Sequence, residues 1–317
     1  MNNQIKQFGD LNIFIDASYV MYYTVHGAFS MWKNEYTSRF NERCSEKVTQ
    51  DAPDITNDDK YLYCLKKKME DNLDCIFSVI KDKMFDGFHP PGLRPKVYFC
   101  MDDISRNYWR KQNIFKEYKM NRRLIPSYFN AGKAFRYLYE IILPQLDLEE
   151  FFGIKSILVE SAEADDIIMT LVRRMKHSHN CIIATDHDMI QVLDKARMFD
   201  LRGNEITVSY ISNKCIGSNE MTSESYLKTK LLVGDKSDNI KGVPRFGLKT
   251  AVKKFPELCD SEDFTLDKLK SKLTEHTDLI DLNYRLMQLS DVDISGNTKI
   301  KILDLIDNVK PRLQKFK

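Results

Sequence analysis

Long hydrophobic runs are missing from this 317-residue chain, although 43% of its residues are apolar. A membrane-spanning helix needs about 20 consecutive apolar residues, and the first apolar run, residues 11–15, is short and ends at Asp16. That run is also too short for the apolar region of a signal peptide. We therefore expect a globular cytoplasmic protein with no membrane span and enough chain to bury a large core.

The chain also has no CxxC pair, and its seven cysteines are odd in number. Several of them lie in apolar runs, as reduced thiols of a protein core do. We therefore expect free core thiols and no zinc site.

Charge of one sign is not in excess either. The 48 basic and 46 acidic residues leave a formal net charge of +2, which by itself does not indicate a nucleic-acid partner. The placement of the charges along the chain therefore carries the information.

Acidic residues follow the ends of four strand-like apolar runs. The runs are 11–15, 97–100, 157–159 and 181–184, and the acids after them include Asp16, Asp102, Glu163, Asp165, Asp166, Asp186 and Asp188. Helical spacing of apolar residues between the runs predicts an α/β fold with a mainly parallel central sheet flanked by helices. Ligands of such sheets bind beyond the carboxyl ends of the strands. We therefore expect one crevice that holds many carboxylates.

So many like charges would raise one another's pKa values unless cations were present. Oxygen ligands without His or Cys favour Mg²⁺ or Mn²⁺ over zinc, and a two-metal site suits phosphodiester hydrolysis. Simpler interpretations remain open for some of the acids. Asp16 could cap a helix, and complementing a helix dipole is the favoured interpretation of Glu163 or Asp166 taken alone. Asp186 and Asp188 follow a strand and have no such alternative.

Residues 106–123 combine seven basic residues and one acid with four aromatic residues. As a helix, this segment would place Lys111, Phe115, Lys119 and Arg122 on one face. Basic side chains contact phosphates and aromatic rings stack on unpaired bases, a combination suited to single-stranded nucleic acid. A solvated basic helix whose aromatic residues pack beneath it explains the pattern equally well.

A glycine-containing turn occupies residues 242–250 and precedes a predicted helix. Such a turn can aim backbone N–H groups at an anion, with Lys249 close by. Taken alone, a turn of this kind is more often a simple connection.

Elsewhere, residues 30–60 predict a surface insertion, 197–211 a hairpin, and 260–317 amphipathic helices.

Five motifs together resemble the flap endonuclease and 5′-to-3′ exonuclease superfamily, and among its members the stand-alone bacteriophage RNase H enzymes most. The motifs are Phe14-Ile15-Asp16, Asp102 with Tyr108-Trp109-Arg110 and 118–122, Glu163-Ala164-Asp165-Asp166, Asp186-His187-Asp188, and 234–239 before Gly242-Val243-Pro244. The resemblance extends from Ile13 to about Phe255.

The resemblance implies two metal sites, occupied by Mg²⁺ or by Mn²⁺ in its place. Asp16, Asp102, Glu163 and Asp165 would surround the first metal, and Asp166, Asp186, Asp188, Asp235 and Asp238 the second. A helical arch at about 105–135 would hold the scissile phosphate through Arg110, Lys119 and Arg122. Tyr108, Lys111 and Tyr118 would contact the nucleic acid.

The resemblance also implies a nuclease domain at 1–215 and a helical DNA-binding region at 216–317. A helix-three-turn-helix motif at about 226–256 would grip the duplex backbone through Gly242, Val243, Gly247, Lys249 and Thr250, with a bound K⁺. Two departures stand out: Asp16 and Asp102 are unusually far apart, which indicates an insertion within 30–95, and Arg245 replaces a small residue.

The implied function is a Mg²⁺-dependent 5′-to-3′ exonuclease and flap endonuclease with RNase H activity, acting in primer removal. Its substrates would be DNA with 5′ flaps or nicks and RNA–DNA hybrids. The resemblance implies a monomer in the cytoplasm, the host's if the protein is viral, working beside a single-stranded-DNA-binding protein or a sliding clamp.

Two alternatives stay open. A PIN-type single-strand RNase would share the acids but not the duplex grip or the arch. A non-catalytic structure-specific DNA-binding protein would keep the grip and the arch but would not need Asp186 and Asp188.

Overall fold

The structure is a computed structural model. It describes residues 11–44, 46–48, 51–84, 95–123, 127–146, 153–175, 178–215, 221–260, 263–289, 294 and 296–307. Within these ranges, no helix combines the length and the apolar character that crossing a membrane requires.

A six-stranded sheet forms the centre of the fold, in the order β3-β2-β1-β4-β5-β6. The strands are β1 (Leu11–Asp16), β2 (Lys96–Met101), β3 (Ile154–Leu158), β4 (His179–Ile183), β5 (Arg197–Phe199) and β6 (Glu205–Ile206). The first five are parallel, and β6 runs antiparallel to β5. The predicted mainly parallel sheet is confirmed. Its topological switch point lies between β1 and β4, because the chain returns past β1 after β3.

Helices cover both faces of this sheet. They are α1 (Ala17–Glu35), α2 (Thr37–Arg43), α3 (Asp59–Met84), α5 (Ala131–Tyr137), α6 (Leu143–Leu146), α7 (Ala164–Arg174) and α8 (Val208–Cys215), with a π-helical turn, Leu138–Ile142, between α5 and α6. The short helix α4 (Trp109–Asn113) lies between Tyr108 and Ile114, which pack with the C-terminal residues Leu231 and Leu232. Alternate residues of a strand point to opposite faces. Ile13 and Ile15 accordingly enter the core beneath α1 and α3, whereas Phe14 enters the core beneath α7.

The predicted surface insertion is more ordered than expected. Its first part lies in α1 and α2, and Phe40, Cys44 and Ile55 are buried in the first core. The predicted hairpin is confirmed as the β5–β6 pair, although its second strand is short because α8 begins at Val208.

The C-terminal third is mainly helical. Its elements are α9 (Ser223–Val233), β7 (Gly234–Asp235), β8 (Ile240–Lys241), α10 (Leu248–Lys254), α11 (Glu257–Asp260), α12 (Leu266–Lys272), α13 (Thr277–Met287) and α14 (Gly296–Asp307). Side chains from both sides of residue 215 share cores: Tyr226 packs with the sheet, and Tyr108 packs with Leu231. The domain boundary at residue 215 stays a prediction.

The turn after α9 depends on a close backbone crossing. Gly234 has φ +73°, and the amide of Val243 donates to the carbonyl of Leu232 at 2.7 Å. A Cβ atom at Gly242 would lie 2.1 Å from the carbonyl oxygen of Val233, whereas one at Gly247 would meet nothing within 4 Å. The crossing therefore requires a glycine at 242 but not at 247.

Replacing Gly242 with Ala should lower the free energy of unfolding by about 2 kcal/mol or more, because backbone atoms would have to move apart. Gly247→Ala is the matched control, and it should cost about 1 kcal/mol or less as a poorer helix cap. Denaturant unfolding of both variants measures the difference. Equal midpoints would contradict the close crossing.

Candidate metal centre

The carboxyl ends of the parallel strands bring acids to one edge of the sheet. Asp16 ends β1, and its Oδ1 accepts a hydrogen bond from the amide of Tyr19 at 3.1 Å, so it also caps α1. Asp102 follows β2 and accepts from Ser18 Oγ and from the Ala164 amide, each at 2.7 Å. Asp102 therefore ties the start of α1 to the start of α7.

Asp16 lies in an unfavourable environment for a charged carboxylate. Burial, together with the nearby carboxylates of Asp102 and Asp186, raises the pKa of Asp16 to about 7. A divalent cation between these groups would reverse the effect by favouring the charged form. The local field therefore favours a cation at this edge.

A second group of acids lies at the start of α7. Oxygen atoms of Glu163, Asp165 and Asp166 lie within 4.8 Å of one another. Glu163 and Asp166 form a reciprocal capping box at the first turn of α7. Burial, together with the charges of Asp166 and Glu163, raises the pKa of Asp165 well above its usual value.

Arg110 lies beneath this group rather than over it. The side chain is buried, with Nη1 2.9 Å from Glu163 Oε2 and Nη2 2.9 Å from Asp166 Oδ1. Its Nε donates to the carbonyl of Leu286 at 2.9 Å, and Trp109 Nε1 donates to Asp166 Oδ2 at 2.7 Å. The expected position of Arg110 on an arch over the site is wrong, because the guanidinium is needed to neutralise these buried acids. A phosphate contact by Arg110 or a metal bond by Asp166 would require breaking these bonds.

Lys119 lies at the surface of the same group. Its ammonium forms an ion pair with Glu163 and lies 3.8 Å from Asp238 Oδ2. The hydroxyl of Tyr118 hydrogen-bonds at 3.2 Å to an oxygen of Glu163 and to one of Asp238. Burial alone would raise the pKa of Glu163, but Lys119 and Arg110 lower it below its usual value.

No continuous helix forms over 106–123, the arrangement that would place Lys111, Phe115, Lys119 and Arg122 on one face. Helix α4 ends at Asn113, and the chain forms only a short 3₁₀ helix at Met120–Arg123. Between them Lys119 has φ +57°, and its amide donates to the carbonyl of Asp238 at 2.9 Å. Bonds to the β7–β8 turn therefore replace helical bonds.

The aromatic residues of this segment pack beneath it. Tyr108, Trp109 and Tyr118 are all buried, and the two tyrosines pack in the same core as Leu231 and Leu232. Their rings are therefore not exposed for stacking on bases in this arrangement. Lys111 is half-buried on α4, and the side chain of Arg122 lies outside the described part of the chain.

The acids after β4 join a further set around Lys230. Asp186 Oδ1 accepts from the amide of Asp188 at 2.9 Å, at the start of a 3₁₀ helix, His187–Val192. Lys230 forms an ion pair with Asp188, and its Nζ lies 3.0 Å from Asp235 Oδ2. Asp235 Oδ1 also accepts from the amide of Ser237 at 2.8 Å.

The charges in this set shift one another strongly. Burial raises the pKa of Asp188 to about 6 although Lys230 opposes the shift. Burial would lower the pKa of Lys230, but Asp188 and Asp235 raise it above its usual value. Lys230 was not predicted from the sequence. The sequence signal that could have revealed it is its place just before the buried Leu231 and Leu232, because a lysine drawn into a core needs an acidic partner.

The turn between β7 and β8 links the two sets, since Asp235 meets Lys230 and Asp238 meets Lys119. The nine predicted acids are thus distributed over one connected edge of the fold. Their donor atoms are carboxylate oxygens, the ligands that hard divalent cations prefer. The ammonium of Lys119 lies near Glu163 and Asp238, and that of Lys230 lies near Asp188 and Asp235. Each set of acids therefore already holds one positive side chain. This donor set fits the binding of divalent metal ions.

The predicted duplex grip lies beside this edge. Gly247 precedes α10, and Gly247, Lys249 and Thr250 are exposed, whereas Val243 is buried. Arg245 has φ +68°, so the residue at the unusual position adopts a left-handed backbone. The exposed Gly247, Lys249 and Thr250 are therefore accessible to an anionic partner.

Comparison with known proteins gives consistent results. Residues 70–224 match the family model described as 5′-3′ exonuclease, N-terminal resolvase-like domain. A 5′-3′ exonuclease of Buchnera aphidicola subsp. Schizaphis graminum is 34% identical over 51% of this chain, and the match spans only 54% of that exonuclease. Flap endonuclease Xni of Psychromonas ingrahamii is 29% identical over 56% of this chain and 68% of that enzyme.

The fold also has a solved counterpart. The crystal structure of the T5 D15 protein co-crystallised with metal ions superposes with a TM-score of 0.60 over 94% of this chain and 98% of that one, at 16% identity. This likeness concerns the fold. The sequence matches, together with this fold, support membership of the 5′-3′ exonuclease and flap endonuclease superfamily.

Proposed function

We propose that the protein is a divalent-metal-dependent nuclease that removes 5′ single-stranded segments from DNA, as a 5′-to-3′ exonuclease and flap endonuclease. The convergence of Asp16, Asp102, Asp186 and Asp188 at the carboxyl edge of one sheet carries this proposal. A binding protein gains nothing from such costly repulsion. A PIN-type single-strand RNase would not need the exposed turn at 242–250.

The proposed roles follow from the contacts. Asp16, Asp102, Glu163 and Asp165 would hold one metal ion, and Asp186, Asp188, Asp235 and Asp238 the other. Mg²⁺ at these sites would supply an activated water and stabilise the leaving oxygen. Lys119 would turn from Glu163 to the scissile phosphate and stabilise its developing charge. Asp166 and Arg110 would hold Glu163 in place.

The turn at 242–250 would contact the duplex behind the cleaved phosphate, through backbone amides and Lys249. A K⁺ ion at this turn, cleavage of RNA primers in RNA–DNA hybrids, and a role in replication are parts of the proposal that rest on the resemblance of the motifs. Through backbone amides and Lys249, the turn would contact phosphates rather than bases. Cleavage should therefore be governed by the structure of the DNA rather than by its sequence.

The main test is single-turnover cleavage of matched 5′-flap and 3′-flap DNA in Mg²⁺. The 5′ flap should be preferred, and Asp188→Ala should lower its cleavage rate by about 10³-fold or more while DNA binding survives. Asp194→Ala is the matched control, because Asp194 lies six residues further along and its side chain is 58% exposed in a pair with Lys195. Full activity of Asp188→Ala, or preference for the 3′ flap, would reject the proposal.

The pH dependence of metal binding follows from the raised pKa values, about 7 for Asp16 and about 6 for Asp188. In the metal-free folded protein these two groups keep protons that the unfolded chain releases near pH 4. The free energy of unfolding should therefore fall as the pH rises from about 4 to about 7. Mg²⁺ must displace those protons. Its affinity should rise from pH 5 to about 7 and then level off.

Calorimetry in two buffers of different ionisation enthalpy measures this release. Net proton release should be larger at pH 5.5 than at pH 8, because Asp16 and Asp188 hold most of their protons at pH 5.5 and few at pH 8. An affinity independent of pH over this range would contradict the assignment of Asp16 and Asp188 as ligands.

Lys230 should compete with metal, because its ammonium occupies the space between Asp188 and Asp235. Lys230→Met should therefore raise Mg²⁺ affinity about threefold to tenfold, since a competing and repelling charge is lost. Lys228→Met is the matched control: Lys228 is buried on the same helix but bonds to Glu224 and to the carbonyl of Phe264. Weaker Mg²⁺ binding by Lys230→Met alone would show that the lysine supports the metal site instead.

A further inference from the structure

Residues 46–48 and 51–58, here called the brace, pair with residues 127–133. The amide of Val48 donates to the carbonyl of Ser127 at 3.0 Å, and the amide of Ser127 donates back to Val48 at 2.9 Å. The amide of Asn130 donates to the carbonyl of Pro53 at 2.9 Å. Backbone bonds thus join the brace to this part of the chain at two separate points.

Side chains reinforce the same contact. Lys133 Nζ lies 2.9 Å from Asp54 Oδ2, and Lys47 Nζ lies 5.2 Å from the ring centre of Tyr128. Lys33 of α1 lies 5.4 Å from the same ring. These basic groups are directed at internal partners, so the contact is built to hold two pieces of the protein together rather than to bind nucleic acid.

The brace is itself anchored to the first core. Ile55 is buried, and Asp58 accepts from the amides of Lys60 and Tyr61 at the start of α3. Asp58 also pairs with Arg39 and Arg43 of α2. The brace therefore provides a fixed support, unlike an exposed loop.

Residues 105–123 and 127–135, here called the arch segment, carry Lys119 between two attached ends. At the first end, the amide of Trp109 donates to the carbonyl of Ser161 at 2.9 Å, and Arg110 is buried among the acids. At the other end the brace holds Ser127. Because Ser127 follows Arg123 by four residues, it can lie at most about 14 Å from it. The position of Ser127 therefore sets an outer limit on where Arg123, and with it the stretch of chain that follows Lys119, can lie.

We propose that the brace is a positioning element that holds the outgoing end of the arch segment and so keeps Lys119 over Glu163 and Asp238. The proposal rests on the proposed function for its catalytic consequence. It assigns a role to the residues that lengthen the spacing from Asp16 to Asp102. Loss of the brace should lower the rate of the chemical step more than it weakens duplex binding, because Lys249 and the turn at 242–250 do not touch it.

The first test replaces Lys133 with Asp, which turns attraction to Asp54 into repulsion. Arg136→Asp is the matched control, because Arg136 lies one turn further along α5, is 72% exposed, and has Glu140 at 4.0 Å as its ion-pair partner. Lys133→Arg should behave as the unchanged protein. Amide hydrogen exchange needs no substrate and should become faster at Ser127, Asn130 and Lys119 in Lys133→Asp only.

The second readout is single-turnover cleavage of the 5′-flap substrate. Lys133→Asp should reduce the rate about threefold to tenfold with an unchanged Kd for duplex DNA, as expected for disruption of a partly exposed ion pair. If exchange at Ser127 and Asn130 rises while exchange at Lys119 and the cleavage rate stay unchanged, the brace does not position Lys119. If the unaltered protein cuts no 5′ flap, the proposed function fails, and the exchange data still decide whether the brace holds the arch segment.

A cross-link provides the rescue. Val48 and Ser127 are directly opposite in an antiparallel pair, where Cα atoms are about 5.5 Å apart, within the range of a disulfide. Val48→Cys with Ser127→Cys, in a Cys75→Ser background because Cys75 is exposed, should restore the Lys133→Asp rate when oxidised and not when reduced. Failure of the formed disulfide to restore the rate would overturn the proposal.

Discussion

Repulsion among carboxylates at one edge of the sheet is the constraint on which the rest of this structure depends. Parallel strands deliver Asp16, Asp102 and Asp186 to the same edge, where burial and their mutual charge raise the pKa of Asp16 to about 7. Cations of the chain itself offset part of this cost: Arg110 beneath α7, Lys119 at its surface and Lys230 beside β4. Removing one partner of such a buried pair typically costs about 3 to 5 kcal/mol, so these residues support the fold as well as the site.

These offsetting contacts also join the C-terminal helices to the sheet. Lys230 reaches Asp188 from α9, and the β7–β8 turn supplies Asp235 to Lys230 and Asp238 to Lys119. Arg110 adds a bond to the carbonyl of Leu286 at the end of α13. The turn at 242–250 follows the β7–β8 turn directly, so the interactions that neutralise the acids also fix its start relative to them. Binding a metal in place of Lys230 would alter both the charge of the site and this connection.

The sequence predicted the sheet and the converging acids because both are local patterns: an apolar run followed at once by carboxylates is visible without knowledge of the partner strands. The partner of Lys230 and the burial of Arg110 could not be predicted, because the acids that they contact lie 42 and 53 residues away in the chain. A continuous helix over 106–123 does not form, for a related reason. Its basic and aromatic spacing suits a helix, but Lys119 bonds to Asp238, a residue that the local pattern does not contain.

Donor count distinguishes the acids that stabilise the site from those that can bind a metal. A carboxylate has about four lone-pair positions, and Asp166 receives the indole of Trp109, two contacts from Arg110 and the amide of Glu163. Three of these donors converge on its Oδ2, and Arg110 Nη2 lies 2.9 Å from its Oδ1, so a metal bond would displace groups that are themselves buried. Asp188 instead meets the ammonium of Lys230, a single flexible side chain that a divalent cation can displace. Asp166 and Asp188 are chemically alike, and the difference proposed between them follows from which donors the fold places around each carboxylate.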